Sequence, residues 1–179
     1  MSGKPGPFRA VALVGPRAAG KSTVLPLLAE LLSWQGVDTD ALIGLQAGSS
    51  AGLHLARVGE AAFRRCEEQV AAPVLRQADR MVIALGGGAV LSSLLRGLLC
   101  GPGLLTVFLR ADPLLLAARM AAQPVLRPPL TALPAAAEVA VLLQQRLPLY
   151  RQVADLELDS GALAPAACAR QIAMVIDRR

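Results

Sequence analysis

The stretch Gly15-Pro16-Arg17-Ala18-Ala19-Gly20-Lys21-Ser22 constrains this chain more than any other, because it fits the pattern GxxxxGK[ST] of a phosphate-binding loop. What flanks it matters as much. Residues 8–14 (FRAVALV) form a near-continuous apolar run, as in a central parallel strand, and residues 21–33 read as a helix. A strand then delivers the loop and a helix N-terminus carries it on, so that backbone N–H groups and the positive helix end face the phosphates of a nucleotide. In that arrangement Lys21 reaches the β and γ phosphates, and the hydroxyl of Ser22 binds Mg²⁺.

Two residues strain this pattern. Ala18 stands where many such loops carry an extra glycine, so the backbone there is expected to suit a Cβ. Pro26 falls beyond the first turn of the following helix and removes one of its N–H donors, a defect of about 3 kcal/mol.

Composition narrows the class further. At 179 residues the chain has the length of one domain, and with 54% apolar and 17% charged residues it is not a disordered polyelectrolyte. The uncharged stretches 41–56 and 81–95 are shorter than the roughly 20 residues a bilayer requires, and glycines and serines interrupt them, so no membrane partner is expected. Lys4, Arg9 and Arg17 leave no apolar core for a secretory signal. The three cysteines, Cys66, Cys100 and Cys168, match no metal spacing and read as small buried hydrophobes of a reduced, cytoplasmic protein. A net charge of +5 suits anionic partners. The arginines are scattered and only 3% of residues are aromatic, which argues for small anions and against nucleic acid.

Along the chain, short apolar runs alternate with longer amphipathic ones. Strands are expected at residues 8–14, ending at Val37, and at 81–85, 104–109 and 156–158. Helices fill most of the gaps: one or two over residues 41–57 broken near Gly48, and the longest over 59–79, with Phe63, Val70 and Val74 inward and Arg64, Arg65, Glu67 and Glu68 around the rest. Strands separated by helices give a three-layer α/β/α sandwich around a parallel sheet. Residues 121–134 (AAQPVLRPPLTALP) hold four prolines and read as a mobile lid over the site.

Val37-Asp38-Thr39-Asp40 places two carboxylates at the end of the second strand, the edge where open parallel sheets bind ligands. In an extended segment both face the same way. One suits Mg²⁺ held through water and the other a hydroxyl nucleophile, although an Asp40 capping a helix that starts at Ala41 is the plainer alternative. Gly86, Gly87 and Gly88 follow the third strand and let backbone N–H groups approach a ligand, or simply form a loose turn. No carboxylate ends that strand, which makes Asp38 the better Mg²⁺ candidate. Arg64, Arg127 and the Arg146 of a turn RLPLY are guanidinium candidates for gripping a carboxylate or a phosphoryl group.

Taken in order, GPRAAGKST, VDTD, GEAAFRRCEE, ALGGGAV, VLRPPL and RLPLYRQVADLELD resemble the shikimate kinase family over residues 9–160. The resemblance implies a five-stranded parallel sheet of order 2-3-1-4-5 with a lid, and a monomer that phosphorylates shikimate with ATP and Mg²⁺. It implies an ATP site of Gly15, Arg17, Ala18, Ala19, Gly20, Lys21, Ser22 and Thr23, and a magnesium site of Ser22 and Asp38. Asp40 corresponds to the aspartate that binds the shikimate hydroxyls and acts as base, and Arg64 and Arg146 to the arginines on its carboxylate. The turn Gly86 to Gly88 lies against the ring, Arg127 closes over ATP and stabilises the transferring group, and Arg119 stacks on adenine.

Departures from the family are Pro129 in the lid, no aromatic residue in 54–57 and no polar or basic residue in 162–165, which together predict weaker ATP affinity. A gluconate-type small-molecule kinase and a non-catalytic nucleotide-binding homologue are the rival readings.

Overall fold

The structure is a computed structural model that describes residues 7–122 and 134–178. Five strands, β1 (Ala10–Val14), β2 (Gln35–Asp38), β3 (Met81–Ala84), β4 (Leu104–Arg110) and β5 (Leu156–Asp159), form one sheet in the order β2-β3-β1-β4-β5. Every pairing is parallel, with Leu13 of β1 opposite Ala84 on one side and Val107 on the other. The expected topology is the observed one. A strand flanked on both sides and covered on both faces can be apolar throughout, which is why all five residues of β1 are buried.

Alternation along the strands assigns the layers. Val11 and Leu13 point to one face, where Val24 and Leu28 of α1 (Lys21–Leu32) and Ile172 of α8 (Pro165–Asp177) pack. Ala10, Ala12 and Val14 point to the other, against Leu75 of α4 (Glu60–Arg76), Leu99 of α5 (Ser93–Leu99) and Tyr150 of α7 (Ala135–Val153). Helices α2 (Thr39–Ala47) and α3 (Ala51–Val58) close a third patch around Ile43 and Phe63, and α6 (Pro113–Ala121) follows β4. The break between α2 and α3 falls at Gly48, as expected, in the left-handed conformation.

Several expectations need correction. The longest helix is α7, with 19 residues, and not α4, with 17. Arg146 and Tyr150 lie within α7, not in a turn, and Pro148 sits inside the helix. An apolar face running through Val139, Leu143, Leu147, Tyr150 and Val153 carries the helix past the proline, because its burial outweighs the roughly 3 kcal/mol defect. Pro26 in α1 and Pro73 in α4 are tolerated in the same way, and all three rings are exposed. Of the cysteines only Cys168 is fully buried, while Cys66 is partly covered and Cys100 exposed, so the small-hydrophobe reading holds for one of three. The proposed lid begins at the last residue of α6, but Arg127 and Pro129 lie outside the described residues.

Because the strands are parallel, the loops after β1, β2 and β3 leave the sheet at one edge and converge there.

Candidate active site

The loop between β1 and α1 is held by its own residues. Gly15 has φ +146 and Gly20 φ +90, and a Cβ on Gly15 would run into the Leu109 carbonyl, so glycine is obligatory there. Lys21, buried as the first residue of α1, donates its Nζ to the carbonyls of Gly15 and Pro16, both at 2.8 Å. The ammonium expected on the phosphates thus also ties the loop to itself. Ala18 does not take an ordinary backbone angle: its φ is +61, in the left-handed region where a Cβ costs about 1–2 kcal/mol. Arg119 reaches this loop from α6, with Nη1 donating to the Ala18 carbonyl at 3.3 Å and Nη2 to the Ser160 carbonyl at 2.9 Å.

Asp38, Thr39 and Asp40 each serve a different neighbour. Ser22 Oγ donates to Asp38 Oδ2 at 2.6 Å, so the two residues expected to share a metal do meet. The other oxygen of Asp38 accepts from the N–H groups of Asp40 (2.9 Å) and Ala41 (3.3 Å) and caps α2. The capping residue is therefore Asp38, not Asp40, and α2 starts at Thr39, two residues earlier than expected. Asp40 stands in the first helical turn instead of an extended segment, because the cap turns the chain at once. The hydroxyl of Thr39, fully buried, donates to the Ala84 carbonyl at 3.3 Å and accepts from Gly86 N–H at 3.2 Å. That spends the Gly86 N–H inside the protein.

Beyond Asp40 lies a cluster of buried charge. Arg64 Nη1 donates to Glu67 Oε2 at 2.8 Å and Nη2 to Glu60 Oε1 at 3.3 Å. Arg146 Nη1, from α7, donates to the Gly87 carbonyl at 3.3 Å, and the Tyr150 hydroxyl donates to the same oxygen. Tyr150 also stacks on Phe108, with ring centroids 4.9 Å apart. A side chain at any of the three glycines would crowd these neighbours. A Cβ on Gly86 would meet Glu67 and Asp40, one on Gly88 would overlap the Arg64 guanidinium, and one on Gly87 would stand 3.3 Å from the Arg17 nitrogen.

The sequence pattern predicts Glu67 on the outer part of its helix, and the structure puts it inside, 1% exposed. The signal was present: Glu67 is four residues after Phe63 and three before Val70, on one helical stripe. Among the described residues, Glu67 Oε1 and Arg64 Nε are buried without a hydrogen-bond partner. Burial pushes the Glu67 carboxyl above its ordinary range, Arg64 pulls it back only in part, and Asp40 raises it further. Burial also works against the charge of Arg64, but Glu67 and Glu60 more than offset it. Burial lifts the Tyr150 phenol well above its ordinary value, so it stays a donor.

A carboxyl whose folded pKa exceeds its unfolded one stabilises the fold fully below the unfolded value, here 4.5, and loses that contribution as pH rises through the folded value. The thermal stability of Glu67→Gln, relative to the parent, is therefore expected to climb as pH rises above 4.5. Paired melts over a pH series check it; a difference independent of pH would contradict the burial argument.

Two cavities meet at this edge of the sheet. The larger, of about 830 Å³, runs over the loop and is lined by Lys21, Ser22, Asp38, Arg119 and Ser160 among others. The smaller is lined by Phe63, Arg64, Glu67, Gly88 and Arg146. Arg17, Asp40, Ala51 and Gly87 line both. One chamber thus offers main-chain amides, an ammonium and a hydroxyl–carboxylate pair, which suit a polyphosphate with a hard cation. The other offers the guanidinium groups of Arg64 and Arg146, with Arg17 on the common wall, and these suit a carboxylate. Arg127 is the sequence candidate that falls outside the described residues. Among those residues no group of three or more His, Cys, Asp or Glu side chains could hold a metal, and no helix is long and apolar enough to cross a membrane.

Known proteins resemble this chain in sequence and in fold. The family model described as shikimate kinase matches residues 17–177. A shikimate kinase of Nitratidesulfovibrio vulgaris is 41% identical over 163 residues, covering 88% of this chain and 89% of the relative. The structure of a shikimate kinase from Acinetobacter baumannii in complex with shikimate superposes with a TM-score of 0.87 at 31% identity, covering 96% of this chain and 94% of that one. A gluconokinase from Sinorhizobium meliloti reaches a TM-score of 0.55 at 20% identity, covering 97% of this chain and 94% of its own, and shares the fold alone.

Proposed function

The chain belongs to the shikimate kinase family, and on that premise we propose that it transfers the γ-phosphoryl group of ATP to the 3-hydroxyl of shikimate, giving shikimate 3-phosphate and ADP. The observation that carries the reading is the position of Asp40 on the wall common to both cavities. A carboxylate there touches an alcohol held on one side while facing a phosphate held on the other.

In this reading Gly15, Arg17, Ala18, Ala19, Gly20, Lys21, Ser22 and Thr23 bind the ATP phosphates, and Arg119 borders the adenine end beside Leu163 and Pro165. Arg64 and Arg146 hold the shikimate carboxylate, and Gly87 and Gly88 face the ring, while Gly86, whose N–H is bonded to Thr39, only supports the turn. Asp40 accepts the hydroxyl proton as the oxygen attacks the γ-phosphorus. Phosphoryl transfer through a loose transition state needs alignment and charge neutralisation more than covalent help, so Lys21 and the lid residue Arg127 carry most of the rate.

Ser22 Oγ at the start of α1 and Asp38 Oδ2 at the end of β2, two hard oxygens 2.6 Å apart, fit Mg²⁺, a cation that keeps several waters and shares phosphate oxygens. When bound, Mg²⁺ neutralises charge on the β and γ phosphates. The proposal describes a cytoplasmic monomer that acts on small molecules, with no nucleic-acid or membrane partner. ADP release measured with shikimate beside gluconate tests it: turnover of shikimate alone is expected, and turnover of gluconate alone would overturn the assignment.

A further inference from the structure

We propose that Arg119 is a positioning residue of the phosphate loop: by bridging the carbonyls of Ala18 and Ser160 it holds Ala18 in the left-handed conformation on which the loop depends. The inference rests on reading residues 15–22 as a polyphosphate site and on nothing about the acid.

The brace has a fixed end and a strained end. Ser160 is buried after β5, and both its N–H and its hydroxyl donate to the Arg110 carbonyl, at 2.8 and 2.9 Å, so its own carbonyl is anchored to the end of β4. At the other end Ala18, with φ +61, occupies a region that an L-residue leaves readily unless its surroundings hold it there. Arg119 supplies such a hold across 101 residues of sequence, with one guanidinium edge on both oxygens. A peptide unit is planar, so fixing the Ala18 carbonyl also fixes the N–H of Ala19. That N–H closes the turn to the Pro16 carbonyl at 3.4 Å. The bonds use the edge of the guanidinium and leave its faces for a flat group, so bracing the loop and stacking on a base are compatible. A glycine at position 18 would need no brace. The alanine and the bridging arginine compensate for each other.

Inorganic triphosphate separates the two roles, because it has no base to stack. Calorimetry with Mg²⁺ and triphosphate is to be run on the parent, Arg119→Met, Ala18→Gly and the double variant. Arg119→Met is expected to weaken triphosphate by about tenfold, the worth of a charged hydrogen bond. In the Ala18→Gly background the loss should shrink to about twofold or less, since glycine takes positive φ freely. Unchanged triphosphate affinity with weakened ATP would overturn the proposal, leaving Arg119 a base contact only. An equal loss in both backgrounds would also overturn it, by pointing to the charge of Arg119 and not to its grip on Ala18. Arg119→Lys runs alongside in case the methionine variant does not fold: it keeps the charge but loses the two-pronged bridge, so the same background dependence is expected. Shikimate turnover is not read, so failure of the functional assignment leaves this test intact.

Discussion

Asp40→Asn is expected to lower kcat by about 100-fold to 10,000-fold, the usual contribution of a positioned general base, with the Kd for ATP changed by less than about twofold. The substitution keeps size and shape, and the backbone N–H of residue 40 still bonds Asp38 Oδ1, so the cap of α2 and the hydroxyl–carboxylate pair beside it stay in place. What is lost is the ability to take a proton on the wall between the two cavities. Single-turnover rates with saturating acid, set beside ATP calorimetry, isolate that step. A rate within threefold of the parent would remove Asp40 from the chemistry.

Removing Arg64 or Arg146 from the smaller cavity is expected to raise the KM for shikimate by about 30-fold or more, because each takes away a charge-assisted grip on the carboxylate. Their effects on stability should differ. Arg146 shares the Gly87 carbonyl with Tyr150, which keeps that oxygen satisfied in Arg146→Ala. Arg64 is bonded to Glu67, whose side chain is 2% exposed, so Arg64→Ala strands a buried carboxylate at a cost of about 3–5 kcal/mol. Arg64→Ala should therefore melt well below Arg146→Ala, and adding Glu67→Gln should recover the melting temperature without recovering the KM. If Arg64→Ala leaves the shikimate KM unchanged, its assignment fails; if Glu67→Gln restores no stability, the buried-charge explanation fails.

Much of this was readable in the residues. The loop from Gly15 to Ser22, the buried run before it and the break at Gly48 follow local rules of backbone conformation and periodicity, and the structure reproduces them. The sheet order came from family resemblance, since spacing alone does not choose among parallel topologies. What stayed hidden depended on tertiary partners. Glu67 looks like one more charge on a charged helix until Arg64, Gly86 and Asp40 are brought around it. Pro148 reads as a helix breaker until the buried face of α7 is seen to outweigh it. The turn made by Asp38 moved Asp40 from a strand to a helix while leaving it beside the cleft, so the residue was found by the wrong geometry. Ala18 gave a warning in the sequence, but its remedy, Arg119, lies a hundred residues away and no local rule connects them.

The claim on which the account depends is that an alcohol pinned in the smaller cavity lines up with the terminal phosphorus of a nucleotide in the larger one. The most direct measurement is a phosphorus–proton correlation spectrum of the product formed from ATP and shikimate. A phosphorus resonance coupled to the proton on C3 of the ring is the predicted result. Organic phosphate on a different hydroxyl, or ATP consumed to free phosphate with the acid unchanged, would contradict it.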